Sequence, residues 1–282
     1  VIRGTASRLA LFGVQVQPSE FMKVAMVVSL AWLFAHHARL TWQVFAKSVV
    51  LIAIPVVLIM LEPDLGVAML LLSLWGALLI FLGLQIKAMI ALGLLSGASF
   101  FAAWHWLFAD YQRSRILVFL DPTSDPLGAG YNVVQSIVAL GSGRLFGRGL
   151  GHGPQSQLQF LPEQHTDFIF SSIGEELGFI GVLVVVVLYA VVLWRILIIA
   201  RSTRDPFGQL LAVSTFLILL VSFVVSAGMN MGLLPVTGIP LPLVSYGGSN
   251  LVTTFVLLGI VESVRVYSKW VQAPPTEFTH LT

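Results

Sequence analysis

Residues 161–170, LPEQHTDFIF, set a carboxylate (Glu163), an imidazole (His165), a hydroxyl (Thr166) and a second carboxylate (Asp167) within five positions. Phe168, Ile169 and Phe170 follow Asp167, and partial desolvation by such neighbours raises a carboxylate's pKa toward the range of a general base. The same position suits an N-cap for a helix beginning FIFSSIGEEL. Glu175 and Glu176 then fall early in that helix, where acids suit its positive end. Upstream, QPSEFMK places Glu20 and Lys23 three residues apart and so on one helical face. They read either as a structural ion pair, with Ser19 as N-cap behind Pro18, or as a pair that holds a phosphate and its counter-charges at a bilayer entrance. Asp64, in LEPDLG, reads foremost as a helix cap.

Basic and irregular stretches complete the candidate set. Arg113 and Arg115 in DYQRSR, and Arg144 and Arg148 in GSGRLFGRG, are either solvated loop charges or a diphosphate clamp, since arginine meets phosphate oxygens bidentately. Glycines 141, 143, 147, 149, 151 and 153 would let backbone approach a ligand, but no strand and nucleotide motif precede them, so they form no P-loop. Residues 235–250, PVTGIPLPLVSYGGSN, carry three prolines. Irregular backbone at membrane depth is tolerated only when buried in protein or lining a cavity, so this stretch reads as a re-entrant wall with Ser245, Tyr246 and Ser249 as polar lining, or else as a plain outer loop. His36 and His37 read as interfacial residues; no metal triad is visible and a metal site stays unknown.

These side chains must be positioned by helices in lipid. The chain is 57% hydrophobic and 10% charged, with mean hydropathy +0.93, too few charges to coat a water-facing surface. Its 15 Lys and Arg are scattered, which excludes nucleic acid as a partner, and the absence of Cys excludes disulfides and a cysteine nucleophile. Seven stretches approach the ~20 apolar residues a span requires, near 20–38, 44–61, 66–84, 86–109, 172–200, 207–227 and 250–268. The fold expected is therefore all-α: one polytopic membrane domain over residues 1–282. Arg39, Lys47, Lys87, Arg195, Arg201, Arg204, Arg265 and Lys269 gather on one side, which the positive-inside rule makes cytoplasmic. The other side holds the Glu62 to Asp64 turn, a large extracytoplasmic loop at about 110–171, and the stretch 228–249. Within that loop, Asp121, Pro122, Asp125, Pro126 and Gly128 mark turns before an amphipathic segment, 131–140, expected to lie along the outer leaflet. The start, VIRGTASRLALFG, lacks an initiator Met and a signal-peptide pattern, so part of the N-terminus is expected to be missing.

QPSEFMK, EPDLG, DPTSDPLGAGYNVVQS, GSGRLFGRGLGHGPQSQLQFLPEQHTDFIF, GEELGFIG and GIPLPLVSYGGSN together resemble, in order, the motif series of the shape, elongation, division and sporulation (SEDS) family of peptidoglycan glycosyltransferases. The resemblance runs from about residue 4 to 268, and the GHGPQSQLQFLPE run is closer to the RodA branch than to the FtsW branch. Family members have ten membrane helices, and this chain resembles the last seven. It departs from the family at Glu62, usually Gln, and at Leu9, usually Trp.

The resemblance implies polymerisation of lipid II into β-1,4-linked glycan, with release of undecaprenyl diphosphate, at the outer face of the bacterial cytoplasmic membrane, for cell elongation and shape. It implies Asp167 as the essential catalytic carboxylate and Glu20 and Lys23 as a supporting pair. Arg113, Arg115, Arg148, His165, Thr166 and Ser245 are the further substrate-binding or supporting candidates. The leaving diphosphate would be stabilised by basic residues, with or without a divalent cation such as Mg or Mn. Partners implied are lipid II, the nascent glycan strand, a single-span class B penicillin-binding protein and other elongation-complex membrane proteins. Its helix is expected against 172–200 and 207–227, where Gly178, Gly181, Ser214, Ser222, Ser226 and Gly228 are small enough for close packing. A flippase for lipid-linked precursor and a non-catalytic scaffold are the alternatives.

Overall fold

In the computed structural model, described residues are 9–11, 14–37, 40–62, 64–84, 86–106, 110–122, 125, 128–157, 160 and 163–272. Arg39, Pro126 and the middle residue of the Glu62 to Asp64 turn lie outside them. Leu9 begins a short antiparallel hairpin, Leu9–Leu11 (β1) with Val14–Val16 (β2). The remaining elements are helical, as expected of so apolar a chain: α1 (Pro18–Ala35), α2 (Trp42–Leu61), α3 (Leu65–Phe81), α4 (Ile86–Trp106), α5 (Asp110–Leu120), α6 (Ala129–Ser142), α7 (Pro154–Gln157), α8 (Ile169–Ser202), α9 (Pro206–Asn230) and α10 (Gly248–Gln272). A helix stands at each of the seven expected stretches. Among the described residues, α1, α2, α8, α9 and α10 are long and apolar enough to cross a membrane, while α3 is apolar but shorter. The chain is a multi-pass helical membrane protein.

Helix starts follow local chemistry. Asp64 caps α3, its Oδ1 accepting from the Val67 amide at 3.1 Å, and Asp205 caps α9 through the Gly208 amide at 2.8 Å, with Pro206 at the first helical position. The expectation for α1 is corrected. Its N-cap is Gln17 rather than Ser19, because Pro18, which has no amide to satisfy, occupies the first turn; Ser19 instead turns its hydroxyl to Asp64 Oδ2 at 3.3 Å.

The core lies where α1, α3 and α9 meet, around the fully buried Leu30, Leu70, Leu71, Leu74, Leu78 and Ile218. The small residues of α8 and α9 are used inside the protein, not on an outward docking stripe. Gly178, Gly181, Ser214, Ser222, Ser226 and Gly228 are all buried, and α8 and α9 lie against each other; close approach of helices in lipid consumes such residues. What α8 presents outward is larger: Leu183, Val187, Leu188, Val191 and Trp194 are exposed.

The stretch 110–171 is built mainly of short helices and turns. Expected at 131–140, the amphipathic helix is α6, with Val133, Ser136 and Ala139 turned inward onto α8 and α9. After α6, residues 143–149 splice into a break in α8. Arg148 and Gly149 amides donate to the Glu175 and Glu176 carbonyls at 2.9 and 3.0 Å, and the Phe179 and Ile180 amides donate to the Arg144 and Leu145 carbonyls at 2.8 and 3.2 Å. The break is at Gly178, with φ +68° and ψ −164°, a region open essentially to glycine alone. A Cβ there would also strike the Gly147 amide and sit 2.7 Å from the Leu145 carbonyl. Gly178→Ala is therefore predicted to destabilise the protein by about 1–3 kcal/mol or more, read as a lowered melting temperature in detergent; a wild-type melting temperature would show that the splice is not strained in this way.

Candidate active site

Asp167 sits in the last turn before α8, half-buried. The helix does not use it as its cap: Phe168 holds the N-cap position and makes no side-chain cap bond. Three consecutive carbonyls around it are instead tied to the end of α9 and the segment that follows it. The His165 carbonyl accepts from the Tyr246 amide at 2.8 Å, the Thr166 carbonyl from Ser245 Oγ at 2.6 Å, and the Asp167 carbonyl from Asn230 Nδ2 at 2.9 Å. Ser245 Oγ also accepts from the Leu241 amide at 2.8 Å, closing a turn in the 241–245 stretch.

The carboxylate lies beside Gly238. A Cβ built on that glycine, which has φ +76°, would be 3.7 Å from Asp167 Oδ2. The preceding residue, Thr237, turns its carbonyl toward α3 and α5. Gly66 approaches it so closely that an added Cβ would be 2.5 Å away, and Arg115 Nη1 donates to it at 3.5 Å. Asp167 and Arg115 thus flank adjacent residues of one irregular segment, buried as a re-entrant wall requires at Thr237, Ile239, Leu241 and Ser245. Of the expected lining residues, Tyr246 is 80% exposed, and the bond that ties it to the site is made by its backbone. With its amide committed to His165 at the turn, its side chain is directed out of the wall.

A second polar knot lies at the same end of the bundle. Lys23 Nζ pairs with Glu20 Oε2 at 2.5 Å, both side chains buried, and Glu20 also accepts from Thr253 Oγ1 at 3.3 Å. Such a pair faces protein, not lipid, as its charge demands. Gln17 joins three helix starts: its side-chain amide donates to Asp64 Oδ2 at 2.9 Å and its backbone amide to Ser249 Oγ at 3.1 Å. The two knots are connected by the 237–250 segment, which touches Asp167 at Gly238 and α1 at Ser249.

The other candidates are dispersed. Arg113 Nη2 donates to the His105 carbonyl at 3.4 Å, and Arg148 Nε to Ser142 Oγ at 3.1 Å, while Arg144 lies at the splice with φ +48°. The Arg113 and Arg148 guanidiniums thus bond different partners. The His165 ring is exposed beside Gln164, and the Thr166 hydroxyl bonds the Glu163 carbonyl and carboxylate, both at 3.2 Å. Among the described residues no group of three His, Cys, Asp or Glu is placed to hold a metal ion. His36 and His37 bond their own helix's carbonyls at the far end of α1. A cavity of about 690 Å³ beside Arg204, Phe207, Leu211, Ile260 and Tyr267 also opens at that far end, remote from Asp167.

Sequence reasoning missed Asn230, Ser136 and Ser171, all fully buried where α6, α8 and α9 meet. An amide at the end of an apolar helix was the available clue, because a buried polar group must find partners. The FtsW/RodA/SpoVE cell cycle protein family model matches residues 1–270. Peptidoglycan glycosyltransferase MrdB of Escherichia coli (strain K12) is 42% identical over 271 residues, covering 95% of this chain and 73% of its own. Peptidoglycan glycosyltransferase RodA of Treponema pallidum (strain Nichols) is 33% identical, covering 90% and 75%. A solved structure concerning the coordination of polymerization and crosslinking by a peptidoglycan synthase complex superposes with TM-score 0.79 at 31% identity, over 95% of this chain and 75% of that one. The rod shape determining protein RodA of Thermus thermophilus gives TM-score 0.65 at 27% identity, over 94% and 71%. With nearly its whole length matched by the family model and by these relatives, the chain belongs to the FtsW/RodA/SpoVE family.

Proposed function

We propose that Asp167 is the general base with which this chain polymerises lipid II. The chain is a peptidoglycan glycosyltransferase with a RodA-like role in elongation, as its relatives are named, and the observation that carries the site is the fixing of carbonyls 165, 166 and 167 around one half-buried carboxylate. In the proposed step, the acceptor sugar 4-hydroxyl attacks C1 of the donor and gives its proton to Asp167. The C1–oxygen bond to the diphosphate breaks, the electron pair leaves with undecaprenyl diphosphate, and the α linkage becomes a β-1,4 bond. A diphosphate leaves without protonation by a second carboxylic acid, unlike the leaving group of a glycosidase. Arg115, beside the same wall, is the cation placed to meet developing phosphate charge. Glu20 and Lys23 brace the neighbouring helix starts.

The reading places the Asp167 end outside the bacterial cytoplasmic membrane, supported by Arg201, Arg204 and Arg265 at the opposite ends of α8, α9 and α10. It also supplies a partner: a polymerase makes strands without cross-links, so a class B penicillin-binding protein, a single-span transpeptidase, would dock its helix on the outward faces of α8 and α9. Lipid II, the nascent strand and other elongation proteins complete the set.

Two outcomes test this. Asp167→Asn is expected to stay folded and to lower glycan synthesis from lipid II by about 10²–10⁴-fold; near-wild-type polymer from the folded variant would remove Asp167 from the role, and redistribution of lipid without polymer in the wild type would favour a flippase. Because the chain has no native Cys, single cysteines at Val187, Val191 and Val224 are expected to cross-link to the transpeptidase helix, and cross-links confined to α1 and α2 would refute the docking face.

A further inference from the structure

Asn230, the last residue of α9, spends its entire side chain on the approach to Asp167. Its Oδ1 accepts from the Ser171 amide at 3.0 Å. Its Nδ2 donates to the Asp167 carbonyl at 2.9 Å and to the Ser226 carbonyl at 2.8 Å. The residue's own carbonyl accepts from Ser136 Oγ at 2.9 Å and from Ser171 Oγ at 3.4 Å. The residue is fully buried. We infer that Asn230 is a positioning residue for the proposed general base, setting where the Asp167 carboxylate stands over Gly238; the inference rests on the reading of Asp167 given above.

The chemistry of the side chain supports the assignment. The Ser171 amide lies in the first turn of α8, where the helix offers it only a short i→i−3 bond to the Phe168 carbonyl at 3.1 Å, and α8 has no cap bond from the side chain of its N-cap residue. A carboxamide is the one short side chain that offers an acceptor and two donors in a plane. Asn230 uses both donors and the acceptor, so it caps α8 from another helix while holding the backbone of the residue that carries the carboxylate. The bond to Asp167 comes from the element that also begins the re-entrant wall. The carboxylate and the Gly238 surface beside it are thereby referenced to the same helix end. An Asp at 230 would set a carboxylate oxygen against the Asp167 and Ser226 carbonyls, and a Ser could serve only one of them.

The test uses the protein reconstituted in liposomes with lipid II, comparing wild type, Asn230→Asp, Asn230→Ser, Ser136→Ala and Asp167→Asn. Ser136 touches the same joint but donates to the Asn230 carbonyl and not to Asp167, so it reports loss of the joint without loss of positioning. The expected result is a fall in kcat of about 10- to 100-fold for at least one folded Asn230 variant, the scale of a misplaced catalytic group. Its KM for lipid II should stay within about threefold, because the lost contact orients a reacting group and binds no substrate. Ser136→Ala should keep the wild-type kcat even where its melting temperature falls as far. If Asp167→Asn is inactive but every folded Asn230 variant keeps kcat within about twofold of wild type, the positioning role alone is overturned. A loss that follows melting temperature equally in Ser136→Ala and the Asn230 variants, or failure of both Asn230 variants to fold, overturns it as well, assigning the joint to stability. An active Asp167→Asn protein overturns the base reading itself, and this inference falls with it.

Discussion

A peptide carbonyl or amide buried without a partner costs about as much as a lost hydrogen bond, and far from water that cost is not relieved. The segment after α9 meets this constraint in an acute form. Three prolines remove donors from it and prevent it from becoming a helix, yet Thr237, Ile239, Leu241 and Ser245 are buried. The 163–168 turn, also non-helical, lies opposite. Each supplies what the other lacks: the re-entrant side gives the Tyr246 amide and Ser245 hydroxyl, α9 gives the Asn230 carboxamide, and the 165–167 turn gives three carbonyls. Asp167 is consequently fixed by partner groups distant in sequence, the ordering that the proposed role of its carboxylate as general base would draw on.

The splice in α8 obeys the same constraint. A break at Gly178 would orphan amides and carbonyls in an apolar helix, and the 143–149 turn takes up four of them by backbone bonds. The carboxylate of Glu175, fully buried beside the break, accepts from the Gln155 amide at 2.9 Å. The early acids of this helix therefore do more than complement a helix dipole. One of them holds the stretch after α6 to the helix that Asp167 precedes.

Much of this was legible in the sequence where a residue's role is local. Asp64 as a cap follows from an acid three residues before an amide at a helix start, and the pairing of Glu20 with Lys23 follows from helical spacing alone. The re-entrant wall was readable because prolines and glycines at membrane depth leave few alternatives. What escaped depended on contacts between distant segments. Ser19 looked like a cap until Asp64, 45 residues on, proved to be its partner. The small residues of α8 and α9 suggested an outward interface, because composition does not say which neighbour a small face meets. Asn230 drew no notice: it lacks charge, and its partners lie 63 and 59 residues away.

The buried Glu20–Lys23 pair gives the second knot a different character from the first. Removing one partner from a buried pair leaves an uncompensated charge, at about 3–5 kcal/mol, whereas the intact pair adds little net stability. That pair holds α1 against Thr253 of α10, and Gln17 holds α1 to Asp64 before α3 and to Ser249 in α10. The re-entrant wall runs from Asn230 to this clamp, and its middle rests on Gly66 of α3. A shift at any of these helix starts would carry Thr237 and Gly238 with it, changing the surface beside the Asp167 carboxylate and the position of the carbonyl that Arg115 contacts. The geometry of the carboxylate is thus a property of four helix ends joined through one irregular strand of backbone, which is why groups as far apart as Gln17 and Asn230 belong to a single site.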